Sequence, residues 1–345
     1  MTKSMGAAFA RQGRACDALD SPFMARLMPL LWRIVAADDG PVAARILTWQ
    51  GDPSAMGDAV PLRLAGALHA LVLTRADAGL VAAYPPHEVP DATLEEAIIT
   101  ALRTHAAHVL KWLEQPPQTN EVRRSAALLA GAAWVQARAG LPLVLSELGA
   151  SAGLNLHFDE YYLANGVGRA DSPVTLRPQW HGPVPPAGPV TVTGRAGVDL
   201  NPLTPSDPDQ ALRLLAYLWP DQQQRAELTR AAMAMARTRP DQGDAAAWLE
   251  ARLAAPRPGA VHLVYHTIAW QYFPQDTADR CYQALASAGA RATTDAPLAH
   301  LAMEADGAED GAALWLRLWP TGQETLLARV DFHGRWIRWL ADGAS

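Results

Sequence analysis

Residues 143–156 read LVLSELGASAGLNL, and two different chemistries fit the same positions. The pentapeptide Gly149-Ala150-Ser151-Ala152-Gly153 matches G-x-S-x-G, the strand-to-helix elbow that presents a serine hydroxyl to a base. Such a serine needs an acid and a histidine further along the chain, and Asp244 or Asp295 with His300 or His333 stand in the required order. Read from Glu147, the same stretch is E-x-G-x-[GS]-x-G, a run of small residues that lets backbone lie against a nucleoside, with an acid to hold a cationic group. Ser151 is a nucleophile in the first reading and a spacer in the second.

Positions beyond the loop favour the spacer. In a doubly wound sheet the ligand lies across the carboxyl ends of the strands, so the loops after successive strands face it. Val198-Asp199-Leu200-Asn201 follows the second candidate strand, where Asp199 can accept from both ribose hydroxyls. Such an acid usually stands about 20 residues beyond the glycines. Here 46 residues separate Gly153 from Asp199, and a proline-rich insertion accounts for the excess. Gln242-Gly243-Asp244-Ala245 follows, where Asp244 can accept from an adenine amino group. The strand His262–Tyr265 ends at His266-Thr267, where a substrate would meet the reactive end of the cofactor, and His266 is the candidate for proton transfer. Asn120, Arg124, Asn155 and Tyr265 are candidates for the substrate side, and no metal is expected.

These positions suit S-adenosylmethionine better than a dinucleotide. That cofactor has no pyrophosphate, and Ser151 and Leu154 stand where the dinucleotide fingerprint requires glycine. Asp199 and Asp244 also fit as helix N-caps, Asp244 directly before Ala245-Ala246-Ala247, and a cap can be a ligand as well.

The elements that must position these residues follow from composition and pattern. The chain has 345 residues, half of them hydrophobic and 19% charged, which predicts packed globular structure. A net charge of −6 without a basic block argues against nucleic acid. Two cysteines, Cys16 and Cys281, suit a reducing cytosol. An arginine at position 11 argues against a secretory signal, and Leu62–Leu73 is too short to span a bilayer, so a cytoplasmic protein with no membrane partner is expected.

Residues 1–140 read as a helical cap domain. Ser21-Pro22 caps a helix with Phe23, Leu27, Leu30, Leu31 and Ile34 on one face, and Thr119 or Asn120 caps a later helix with Leu128, Ala132 and Val135 inward. Residues 141–345 alternate short apolar runs with helical segments, the signature of a mostly parallel sheet wrapped by helices. Strands are expected at about 143–147, 195–199 and 260–265, with a helix from the loop to about Leu163. Ala313–Trp319 and Thr325–Phe332 form an antiparallel hairpin, and Trp336–Leu340 is a further short strand. The proline-rich insertion, at about 168–194, is expected to be a surface arm.

Phe9-Ala10 through Ser21-Pro22, Gln118-Thr119-Asn120-Glu121-Val122-Arg123-Arg124, the E-x-G-A-S-A-G-L-N-L stretch, Asp159-x-Tyr161 and Gly197-Val198-Asp199-Leu200-Asn201-Pro202 resemble a bacterial family of unknown function. That family is classed with the Rossmann-like S-adenosylmethionine-dependent methyltransferases, and the resemblance covers nearly the whole chain. It implies an α/β, Rossmann-like methyltransferase sheet with an antiparallel C-terminal hairpin and a helical N-terminal domain. It also implies that Glu147, Gly149, Ser151, Gly153, Asp199 and Asp244 hold S-adenosylmethionine. Ser151 departs from the broader pattern, which has glycine at the middle of the loop. The expected activity is methyl transfer to a small molecule. The alternatives are a non-catalytic nucleoside-binding or regulatory protein on the same fold, and a serine hydrolase using Ser151.

Overall fold

The structure, a computed structural model, describes residues 2–342. Seven helices open the chain: α1 (Thr2–Ala18), α2 (Pro22–Ala37), α3 (Pro41–Leu47), α4 (Val60–Leu73), α5 (Ala78–Ala83), α6 (Asp91–Thr104) and α7 (Ala106–Leu113). Ser21 caps α2 as expected, its Oγ accepting from Met24 N at 3.3 Å, and Pro22 occupies the first turn, where its missing N–H has no partner to lose. Then come α8 (Ser125–Ala139), β1 (Leu143–Leu148), the short strands β2 (Tyr162–Leu163), β3 (Val167–Gly168), β4 (Thr175–Leu176) and β5 (Gln179–His181), and the long β6 (Val192–Asp199). The remainder is α9 (Pro208–Ala216), α10 (Gln223–Met235), β7 (Asp241–Gln242), α11 (Ala245–Arg252), β8 (Val261–Thr267), α12 (Gln275–Gly289), β9 (Leu298–Glu304), β10 (Ala312–Trp319), β11 (Gln323–Val330) and β12 (Trp336–Trp339).

The chain divides into two compact units, Met1–Thr119 with Asp207–Glu227, and Asn120–Ser206 with Leu228–Ser345. The sequence reading ended the helical region at 140, and the structure draws the division elsewhere for two reasons. Segment 207–227 is bound into the helical unit. The Asp221 carboxylate accepts from Ser21 Oγ at 2.6 Å and Phe23 N at 2.9 Å, and the Tyr217 ring lies on Gly66, where a Cβ would meet Cε1 at 2.5 Å. α8, for its part, packs on the sheet. Every residue from Ser125 to Val135 is buried, so its pattern is not the one-faced stripe of a surface helix, and a Cβ at Gly131 would meet Leu301 Cδ2 at 2.8 Å.

The second unit is mixed α/β around a large, mostly parallel sheet of nine strands in the order β5-β12-β11-β10-β9-β8-β1-β6-β7. β1 pairs in parallel with β6 on one side and β8 on the other, and β8 pairs in parallel with β9. Among the five parallel core strands the order is third, second, first, fourth, fifth, which reverses between β1 and β8. β8 is buried at every position, as a central strand covered on both faces must be. Helix α8 covers one face, while α11 and α12 cover the other around Leu148, Val198, Leu249, Leu285 and Leu298. β9, β10, β11 and β12 continue antiparallel, giving the expected hairpin and final strand.

Two local expectations are corrected. After the loop there is a 3-10 segment, Leu154–Glu160, kinked at His157, and then β2, in place of a helix to Leu163. The proline-rich insertion is more than a surface arm. β2, β3 and β4 make a small sheet, and β5 adds in parallel to β12, with the rings of Trp180 and Trp339 stacked 5.8 Å apart. β5 thereby covers the edge that β12 would otherwise expose.

Candidate functional site

The loop after β1 winds through left-handed backbone three times, at Gly149 (φ 68°), Ser151 (φ 52°) and Gly153 (φ 71°). Glycine is needed at the outer two positions by the protein's own packing. A Cβ at Gly149 would lie 2.7 Å from Ala269 Cβ, and one at Gly153 would lie 2.8 Å from Thr238 O. Asn120 Oδ1 accepts from Leu154 N at 2.9 Å and fixes the loop's far end, so Asn120 acts there and not as a cap of α8.

At the strand ends beneath the loop two acids converge. Glu147 is 2% exposed, and its Oε2 has no hydrogen-bond partner. Burial pushes its carboxyl well above the usual range, and the neighbouring negative charge of Asp199 pushes the same way, against a hydrogen bond with the Tyr265 hydroxyl. Asp199 stands on the adjacent strand, its Oδ2 accepting from Ser151 N at 2.8 Å and its Oδ1 from Asn201 N at 2.9 Å. Each oxygen of Asp199 keeps acceptor capacity beyond these bonds. Leu200, next to it, is 64% exposed.

Asp244 lies one strand further out and opens α11. Its Oδ1 accepts from Ala247 N at 3.0 Å, its Oδ2 from Thr277 Oγ1 at 3.0 Å, and these bonds, the backbone cap above all, hold its pKa below the ordinary carboxylate value. The cap role is therefore in place, and the side chain stays 41% exposed.

The remaining candidates are tied into the scaffold. Asn155 accepts from Ser125 Oγ at 2.7 Å and donates to Glu121 O at 3.4 Å. Tyr265 donates to Asn155 O at 3.2 Å, and Arg124 Nε donates to Phe332 O at 2.9 Å. Arg195 on β6 makes a two-point pair with Asp159 at 2.8 and 3.0 Å, fixing the 3-10 segment to the sheet.

His266 faces the α12 side of the sheet, where its two ring nitrogens are engaged. Nδ1 meets Glu304 Oε1 at 2.6 Å, Nε2 meets His300 Nε2 at 3.0 Å, and the Trp270 ring stacks at 4.8 Å. Glu304 Oε1 also accepts from Ala269 N and Trp270 N at 2.9 and 3.1 Å. Burial raises the Glu304 carboxyl, but these hydrogen bonds and the imidazole beside it outweigh burial and bring it below the usual value. The sequence reading passed over Glu304. Alternation along a strand puts His300 and Glu304, four residues apart, on one face, which is the signal that was available.

Ser151 Oγ is buried and has no hydrogen-bond partner, so no imidazole among the described residues is placed to take its proton. Also among the described residues, no group of three or more His, Cys, Asp or Glu is gathered as metal ligands, and no helix is long and apolar enough to cross a membrane.

No curated protein and no solved structure matches this chain. A family model described as "uncharacterized protein conserved in bacteria (DUF2332)" matches residues 6–339, so the chain that carries this acid-lined loop belongs to that bacterial family.

Proposed function

We propose that the strand ends of β1, β6 and β7 bind S-adenosylmethionine and that the protein transfers its methyl group to a small molecule. The observation that carries this is the pair Glu147 and Asp199: two neighbouring carboxyls, one buried with an unpartnered oxygen, which no cation among the described residues pairs. A buried acid in that state is stabilised by a ligand that brings positive charge and hydrogen-bond donors. Glu147 lies toward the carboxyl end of β1, which borders the reversal of strand order, and Asp199 ends the next strand; ligands of doubly wound sheets lie outside such strand ends. Asp199 would take the ribose hydroxyls, Leu200 would cover one face of the adenine, and Asp244 would accept from its amino group. Glu147 would hold the ammonium end. The cofactor supplies a methyl carbon on a positively charged sulfur. The protein's contribution is in-line positioning and exclusion of water. His266, with both nitrogens engaged, would hold the Ala269–Trp270 backbone through Glu304 rather than take up a proton.

Calorimetric titration with S-adenosylmethionine and S-adenosylhomocysteine, with NAD as control, tests the proposal. The expected result is binding of both sulfur nucleosides, with the cationic one tighter, and no binding of NAD. Asp199→Ala should weaken binding about ten- to a hundredfold, the value of a hydrogen-bonded pair to a charged acceptor. No binding of either sulfur nucleoside, or an Asp199→Ala variant that titrates like the parent, would refute it. A binding protein without turnover would give the same titrations and no loss of a labelled methyl group over a single turnover. A fluorophosphonate probe should leave Ser151 unlabelled.

A further inference from the structure

A cavity of about 290 Å³ lies between α12 and the β9–β10–β11 face of the sheet, and the loop chemistry above makes no use of it. Its volume is at the small end for ligand sites and suits a single aromatic ring. Tyr282 and Trp315, 57% and 43% exposed, are among its lining residues, and Trp319 is another. Among these rings stands a polar row. Arg317 pairs across the strands with His300 on one side and Glu324 on the other, and all three line the cavity.

The row has a definite hydrogen-bonding character. The Arg317 guanidinium is neutralised by Glu324 Oε1 at 3.3 Å and donates to the Tyr282 hydroxyl at 3.2 Å, while its buried Nε has no partner. His300 closes the chain that begins at Glu304. With Glu304 a carboxylate, His266 donates to it through Nδ1, and as a neutral ring it accepts at Nε2. His300 must then donate from Nε2, which leaves its Nδ1 an acceptor. Burial above all keeps that ring uncharged, pushing its pKa down to about 3. The cavity wall therefore combines a neutral, acceptor-bearing imidazole and a neutralised guanidinium from neighbouring strands with aromatic rings, and carries no net charge.

We propose that this cavity is a binding site for a small neutral phenolic compound, its ring among the aromatic side chains and its hydroxyl donating to the His300 imidazole beside Arg317. The inference is independent of the reading of the glycine loop. Titrating the full chain with phenol, toluene and benzoate, followed by tryptophan fluorescence and saturation-transfer NMR, tests it. Phenol should bind saturably and about tenfold more tightly than toluene or benzoate, since only phenol brings a hydroxyl donor without bringing charge. His300→Leu should bring phenol down to the level of toluene and leave toluene unchanged. Ala286→Trp, at an exposed helix position on the cavity wall, should remove binding of all three while the fold stays intact. Equal binding of phenol and toluene, phenol binding that survives Ala286→Trp, or no saturable phenol binding would each overturn the proposal.

Discussion

Glu147 and Glu304 end two strands that run in the same direction in one sheet, and both are largely removed from water. Glu304 Oε1 accepts from an imidazole and two backbone N–H groups, and its pKa falls below the ordinary value. Glu147 has an oxygen with no partner and a second acid beside it, and its pKa rises. Burying either carboxyl is costly, but Glu304 finds its compensation within the chain while Glu147, with one oxygen unpartnered, does so only in part. The lesson is that burial alone does not separate structure from function. A compensated acid holds the fold, and an uncompensated one is where a ligand has something to add.

The sharpest break of this comparison is Glu304→Ala. It strips the acceptor from His266, Ala269 and Trp270 together and should cost about 3–5 kcal/mol, as three buried donors left without an acceptor do. A urea midpoint shift at unchanged slope measures it, and a loss below about 1 kcal/mol would mean that the chain of groups is not structural. The second test is pH. His300 has a folded pKa near 3 against an ordinary 6.5, so the unfolded chain binds the proton first on acidification. Its contribution is present above 6.5 and is lost as pH falls, by at most about 1.4 kcal/mol per pH unit and on the order of 2–3 kcal/mol by pH 4.5. His300→Gln should flatten this acid limb.

Glu147 has the opposite sign. Its folded pKa is raised, so its contribution is present below 4.5 and is lost as pH rises through the folded value. Glu147→Gln should raise stability at pH 7.5 by about 1–3 kcal/mol, the order of an unmet buried polar group, while weakening the nucleoside titration. A thermal melt with and without S-adenosylmethionine reads both effects, and a destabilised Glu147→Gln would place Glu147 with Glu304 as a structural acid. The smallest effect is expected from Ser151→Gly. Glycine relieves the left-handed backbone but loosens the unfolded chain, so the gain should be under about 1 kcal/mol, with nucleoside affinity intact.

Much of this was legible in the sequence. The runs at 143, 195 and 260 became β1, β6 and β8: β1 and β8 are central strands buried almost throughout, while β6, buried only near its carboxyl end, was legible from its place before Asp199. The glycine loop and Asp199 were legible because both answer to local backbone geometry. The Glu304–His266–His300 chain was not, because it joins two strands 34 or more residues apart and no local pattern records which faces meet. α8 was misassigned to the helical region for a similar reason: an apolar helix does not announce which of two cores it enters. The 3-10 segment at 154–160 was missed because its turns are set by Tyr161 donating back to Leu154 O at 2.6 Å, a contact invisible in periodicity.

The segment 207–227 also has a consequence for biosynthesis. The cap of α2 rests on Asp221, 200 residues downstream of Ser21, and the notch at Gly66 stays unfilled until Tyr217 arrives. A ribosome adding about 5–20 residues per second needs on the order of 10–40 s to cover that distance. During that interval β1 to β6 are already made, while the helical unit that began first is still incomplete. The part synthesised earliest thus cannot finish folding until residue 227 is made, and the sites at Ser21 and Gly66 stay open for as long as the wait lasts.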